Sequence, residues 1–268
     1  MNEQAIIVRK PHIDFSTEID RFYIGGNPIK THVFNALNLL FPDGERFFVR
    51  AVHDHVADIH DPDLLRDIRA FAGQEGQHAR EHERFFEVLA RQGYRYEDVL
   101  GHFQALARWS SRLPRALRLS LTAGAEHYTA TIASLLLEGD LLEGCPTAMR
   151  KLITWHAFEE IEHKHVAYDV LITCYPRTSY PLRVLGFTIT SAVISTYTLV
   201  GLRALIAQDR QSARLSPERY EAAQAELRHA GARRFRRALR WAALRYLVPG
   251  FHPSRENNLS DQKKQIDF

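Results

Sequence analysis

From Ile29 onward, apolar residues recur at helical spacing in nearly every segment, and no run alternates as a half-buried strand would. Turn residues cut the pattern into six helices. The first covers roughly 30–57 and bends around Pro42-Asp43-Gly44. The second covers about 62–92; Asp61 stands as its N-cap, Pro62 at its first position and Gly93 at its end. A connection at 93–113 has room for a short helix. The third helix runs from about Pro114 to Glu138, and the fourth from about Pro146 to Cys174. The fifth runs from about Pro181 to Ala207, and the sixth from about Pro217 to Leu247, before Pro249-Gly250. Residues 1–29 read as an extended arm that closes on the turn Gly25-Gly26-Asn27-Pro28. Long helices joined by short turns imply an antiparallel bundle. The expected layout is an N-terminal arm (1–29), one helical domain (30–250) and a C-terminal tail (251–268), with no linker between domains.

One segment breaks the ordinary division between apolar and polar faces. Residues 155–165 read WHAFEEIEHKH, in which seven of eleven residues are His, Glu or Lys, yet apolar residues flank the run on both sides. Buried without partners, such groups are costly, and a metal ion is an economical partner. At about 100° per residue, Glu160 and His163 lie about +40° and about −20° from His156, so the three share one narrow stripe.

The wider pattern strengthens that reading. Glu-x-x-His occurs at Glu75/His78, Glu160/His163, Glu162/His165 and Glu226/His229. The last sits in an arginine-rich amphipathic helix and reads as coincidence. His82 lies one turn beyond His78. Glu45 precedes Glu75 by 30 residues and Glu126 precedes Glu160 by 34, so a lone Glu followed by Glu-x-x-His on the next helix appears twice. Four helices supplying this set match the ligands of ferritin-like di-iron and di-manganese carboxylate bundles. Carboxylates can bridge two cations, imidazole suits iron, and four carboxylates neutralise two divalent ions. The expected fold is therefore all-α, a ferritin-like four-helix bundle with two additional C-terminal helices. The expected ligands are Glu45, Glu75, His78, Glu126, Glu160 and His163. Glu45 also reads as a helix-start carboxylate favoured by the macrodipole. His156 is either a ligand or an orienting donor, and His82 reads as an orienting group behind the ligands, with ligation as the alternative. Glu159, His127 and His165 are neighbours.

Composition changes this picture little. The chain has 268 residues, 45% hydrophobic and 25% charged, with net charge +3, which fits a globular protein with a sizeable core. Fourteen histidines raise the weight of the metal reading. Cys145 and Cys174 show no disulfide or metal spacing, and the N-terminus shows no secretory pattern, so a cytoplasmic location is expected.

Two further segments bear on partners. Residues 184–202 read VLGFTITSAVISTYTLVGL, uncharged and flanked by Arg183 and Arg203. Thr, Ser and Gly favour a fully buried helix over a transmembrane span; walling an apolar substrate pocket is a third reading. Residues 228–245 carry seven arginines with Phe235, Leu239, Trp241 and Leu244. This amphipathic helix suits an anionic membrane surface such as that of the inner membrane, a partner, or a solvated face. No nucleic-acid module is legible. Together they point to an apolar, lipid-like small-molecule substrate. A homodimer is compatible with the pattern.

The segments GERFFVR, GQEGQHAREHERF, AEHYTA, WHAFEEIEHKHVAYDV and PGFHP resemble the bacterial family described as "predicted metal-dependent hydrolase", across roughly 9–255. The order His156-x-x-x-Glu160-x-x-His163 also resembles the fourth helix of di-iron arylamine N-oxygenases, a likeness that implies His156 as a third histidine ligand. The expected function is O2-dependent oxidation at two iron ions, with manganese or mixed metals as alternatives. No flavin or nicotinamide motif is present, so electrons would come from an external donor or the substrate. Metal-dependent hydrolysis through an activated water is the first alternative. Iron binding or oxidation without an organic substrate is the second.

Overall fold

The computed structural model describes residues 5–138, 141–228 and 230–256. It is all-helical, with no strand among the described residues. The helices are α1 (Pro28–Asn38), α2 (Phe41–His53), α3 (Pro62–Arg91), α4 (Glu97–Ser110), α5 (Arg115–Leu137), α6 (Thr147–His163), α7 (Val166–Cys174), α8 (Ser179–Gln211), α9 (Pro217–Arg228) and α10 (Ala230–Tyr246). In the tail, 257–268 lie outside the described residues.

Local chemistry explains the boundaries. Gly25 and Gly26 take left-handed backbone angles, which turn the chain into α1. The Asn27 side chain then accepts from the Ile29 and Lys30 amides, and Pro28 occupies the first turn, where a missing N–H costs nothing. Asp61 caps α3 in the same way. The expected first helix is interrupted at Leu39–Leu40, earlier than Pro42-Asp43-Gly44. Pro42 belongs to the first turn of α2, which places Glu45 one turn inside and buried, rather than at a solvated helix start. The expected fourth helix divides after His163, although Lys164 and His165 keep right-handed helical angles.

Packing pairs α2 with α3 and α5 with α6, and joins the pairs through α2–α5 and α3–α6. Two apolar clusters close the ends of this group. One holds Phe85, Leu89, Leu152 and Trp155, together with Ile13 and Phe15 of the arm; the other holds Phe71, Leu119, Ala123 and Val166. Between them, along α3 and α6, lies the polar stretch from Glu75 to His82 and from His156 to His163. The arm is thus part of the core and no loose extension.

The fifth helix departs from the expectation of full burial. α8 packs on α5 and α1 through close approaches: a Cβ on Gly186 would meet the Ser120 carbonyl oxygen at 2.0 Å, and one on Gly201 would meet the Ala36 Cβ at 2.8 Å. Its opposite face is open, with Leu185, Ile189, Leu199 and Val200 exposed. By length and composition α8 could cross a membrane, but its packing along one side differs from the all-round lipid contact of an isolated span. Both faces are apolar, so composition does not tell the packed side from the free one.

The basic segment forms α10. Tyr246 anchors it, donating to the Ala123 carbonyl and stacking on His127, while Arg236, Arg237, Arg240 and Trp241 are exposed. The side chains of Arg233, Arg234 and Phe235 lie outside the described residues. The PGFHP motif fastens the following turn, where His252 pairs with Asp169 at 2.7 Å.

Candidate metal centre

α3 presents Glu75, His78 and His82 at spacings of three and four residues, which keep side chains on one face. α6 presents His156, Glu160 and His163 in the same way. α2 adds Glu45 and α5 adds Glu126. All eight are buried. Three groups bring donor atoms close enough to share an ion: Glu75/Glu126/His163, Glu75/His78/Glu160 and Glu45/His78/His156. Glu226, set aside from the sequence, pairs with Asn27 and Lys30 away from this cluster.

Donor spacing is that of ligands around a cation. His163 Nε2 lies 3.1 Å from Glu75 Oε1, 3.1 Å from Glu126 Oε2 and 3.6 Å from Glu160 Oε1. Glu160 Oε1 also lies 3.5 Å from His78 Nδ1 and 3.2 Å from His156 Nε2. About 3 Å is the ligand-to-ligand edge expected for an octahedral cation with bonds of about 2.1 Å. Despite these short distances, neither oxygen of Glu45, Glu75 or Glu126 accepts a well-aligned hydrogen bond among the described residues, and His78 Nδ1 and His163 Nε2 have no hydrogen-bond partner there either. Buried polar atoms left this way are costly and call for an ion.

Hydrogen bonds behind the cluster fix which lone pairs face it. His78 Nε2 lies 3.0 Å from Glu159 Oε2, so it donates, and Nδ1 is left as the lone pair. His163 Nδ1 lies 2.9 Å from Gln74 Oε1. The Gln74 amide nitrogen donates to the Ile7 carbonyl at 3.0 Å and to Glu162 at 2.9 Å, which fixes its oxygen toward His163 and leaves His163 Nε2 as the lone pair. The third relay is longer. Asn38 Nδ2 points to the His82 carbonyl, so Asn38 Oδ1 accepts from His82 Nδ1. His82 Nε2 then accepts from His156 Nδ1 at 2.6 Å, leaving His156 Nε2 as a lone pair toward Glu160. Three imidazole lone pairs thus face four carboxylates.

Titration reflects the same crowding. Burial, then the charge of Glu75, pushes the Glu45 carboxyl well above its usual range. Burial pushes Glu126 up to about 8 against the pull of His163. Burial alone would lower His78, but Glu159, Glu160, Glu75 and Glu45 outweigh it and raise it to about 10, so an ion bound at Nδ1 would take the place of a proton there. Glu160 goes the other way, because its three histidine neighbours outweigh burial. Burial and the neighbouring His78 keep His156 low, and burial with His156 keeps His82 low, so both stay neutral, as the relay requires.

Glu159, taken from the sequence as a neighbour only, connects the cluster to the arm. Arg9 donates to Glu159 at 3.1 Å and to Glu162 at 2.7 Å and 2.8 Å. Gln74 and Asn38 were not singled out at all. Gln74 lies next to Glu75 and one turn before His78, and this was the only available signal. His127 belongs elsewhere: it bonds the Ala242 carbonyl at 3.1 Å in the contact with α10. His165 faces Asp67 at 3.6 Å.

An apolar cavity of about 320 Å³ reaches the cluster at His156 and Glu160. Its wall comes from α1, α2, α4, α5, α6 and α8 and includes Phe34, Phe41, Phe47, Phe103, Leu121 and Ile132. Ile189, Thr190, Val193 and Ile194 of α8 complete it, in line with the pocket-wall reading of that segment. The wall carries no Lys, Arg or Asp.

Residues 7–257 match the model of a family described as "Predicted metal-dependent hydrolase", and the chain belongs to that family. No curated protein and no solved structure matches it. The family description names the hydrolytic alternative; no comparison points to oxygen chemistry.

Proposed function

We propose that the chain is an enzyme with two divalent metal ions held among Glu45, Glu75, His78, Glu126, His156, Glu160 and His163, and that an apolar small molecule reaches them through the cavity. The observation that carries this reading is the set of orphaned polar atoms: two imidazole nitrogens, His78 Nδ1 and His163 Nε2, and both oxygens of Glu45, Glu75 and Glu126 converge without hydrogen-bond partners among the described residues. Glu75, which belongs to two of the three donor groups, would help to hold both ions. The donor set on four helices is that of ferritin-like two-iron proteins, and iron is the favoured ion.

Hydrolysis is the activity in the family description. Bound ions would supply Lewis acidity and a water of lowered pKa. The chain's own residues would divide the remaining work. The aromatic and aliphatic wall would hold the hydrocarbon part of an ester or amide and exclude bulk water. His82 and Asn38 would hold the His156 ring in one tautomer while its neighbours change charge.

One observation favours oxidation with O2 as a second reading. Apart from His156 and Glu160, the wall offers only the hydroxyls of Ser110, Tyr128, Thr129 and Thr190 and the indole N–H of Trp109 as side-chain polar groups, a sparse set for recognising a scissile carbonyl. Oxidation of an unfunctionalised hydrocarbon needs no such recognition. A parallel assay of metal-loaded protein separates the two. Anaerobic release of acid from apolar esters supports hydrolysis; O2 uptake that depends on both reductant and an apolar additive supports oxidation. With two ions bound and neither activity over a broad panel of apolar compounds, the enzymatic reading is rejected in favour of an iron-handling protein.

A further inference from the structure

The cavity opens on an apolar surface rimmed with arginine. Of its wall residues, only Trp109 of α4 and Ile189 of α8 are largely exposed, at 56% and 37%, so they mark its mouth. Ile189 belongs to the free face of α8. That face follows helical spacing through Leu185, Ile189, Ala192, Thr196, Leu199 and Val200 to Arg203. Of eleven large apolar side chains exposed among the described residues, five lie on α8. Arg108 and Arg112 flank Trp109, and neither they nor Arg203 form an ion pair among the described residues. The only acidic residue of α8 is Asp209, which is buried.

We infer that this surface docks on an anionic lipid bilayer, with the mouth at Trp109 and Ile189 against the lipid. An apolar compound dissolves in the bilayer rather than in water, and an apolar rim lets it pass into the cavity without crossing solvent. Exposed aliphatic and aromatic side chains bordered by unpaired arginines are what an interfacial surface presents to anionic headgroups. A second copy of the chain fits less well, because self-pairing offers the three arginines no acidic partner on α8. The inference rests on the proposed function only in treating the cavity as the substrate's path; docking itself is read without turnover.

Vesicle binding by the full chain is the test. With phosphatidylcholine–phosphatidylglycerol vesicles at low salt, the protein should co-sediment, and added salt should weaken binding without abolishing it. Leu199→Glu with Val200→Glu lies away from the cavity wall and should lower partitioning by about tenfold or more while the metal content is unchanged. Brominated lipid should quench Trp109 in a Trp241→Phe background; Trp155 is buried and serves as the internal control. Quenching confined to Trp241, measured in a Trp109→Phe background, would put α10 on the bilayer and overturn the assignment. So would absence of vesicle binding, or a dimer that the Leu199/Val200 variant dissociates. Vesicle binding that persists in a protein without either activity would count against the proposed function and not against the docking surface.

Discussion

The Glu75 carboxylate and the His163 imidazole come from different Glu-x-x-His pairs, on α3 and α6, and stand 3.1 Å apart. The sequence theme reads as two separate halves, each a lone Glu followed by Glu-x-x-His. The fold crosses the halves: Glu75 meets Glu126 and His163, and His78 meets Glu160, while Glu45 stays beside His78 of its own half. Such crossing binds α3 to α6 through a shared cluster, and it makes each pair depend on the other.

Loss of a donor should differ from loss of its support. His163→Ala or Glu75→Ala should remove at least one ion from the folded protein. Gln74→Ala and Glu159→Ala should keep both sites and weaken affinity by about 10–100-fold, as changes behind metal ligands do. Arg9→Ala should act in the same direction as Glu159→Ala, because Arg9 holds that carboxylate. Metal titrations with a competing chelator check these, and unaltered affinity in Gln74→Ala and Glu159→Ala would reject the support assigned to them.

The relay from Asn38 through His82 to His156 has a spectroscopic consequence. In cobalt-substituted protein, His156→Ala should shift the visible bands by removing a nitrogen donor. His82→Ala should perturb them less and mainly lower affinity. Equal and negligible effects in both would show that His156 does not ligate a metal.

Legibility in the sequence follows the reach of helical phase. A fixed advance per residue ties Glu75 to His78, and His156 to Glu160 and His163, so those groups could be read from spacing alone. Arg9, Gln74 and Asn38 act across elements. The arm around Arg9 has no helical phase to project from. Pro42 misplaced the first break because proline marks a helix start as readily as an interruption. The free face of α8 was illegible because both its sides are apolar.

The cavity can be tested without knowing the substrate. Ala107→Trp should fill part of it and displace an apolar fluorophore such as 1-aminoanthracene, with the metal content unchanged. Overpacking typically costs about 1–3 kcal/mol. Undiminished fluorophore binding in a folded variant would mean that apolar ligands bind elsewhere.

Acid sensitivity has an assignable source in His127. Burial lowers it from 6.5 to about 4, so the unfolded chain takes up a proton over that interval before the folded protein does. Its contribution is complete above pH 6.5 and is lost as pH falls toward 4, amounting to about 2 kcal/mol by pH 5. His127→Gln keeps a donor for the Ala242 carbonyl and cannot titrate. Urea melts at pH 7 and pH 5 should show a smaller stability loss for the variant; equal losses would move the effect to other groups.

Metal stoichiometry tests the central claim most directly. Full-length protein from iron-supplemented cells, or apoprotein reloaded with ferrous iron under argon, should carry two ions per chain by elemental analysis. Glu160→Ala, which removes the carboxylate facing all three histidines, should lose at least one of them with its helical content intact. Two tightly held ions in the parent and fewer in the variant are the expected result. One ion or none in a fully loaded, folded parent would contradict the two-metal centre.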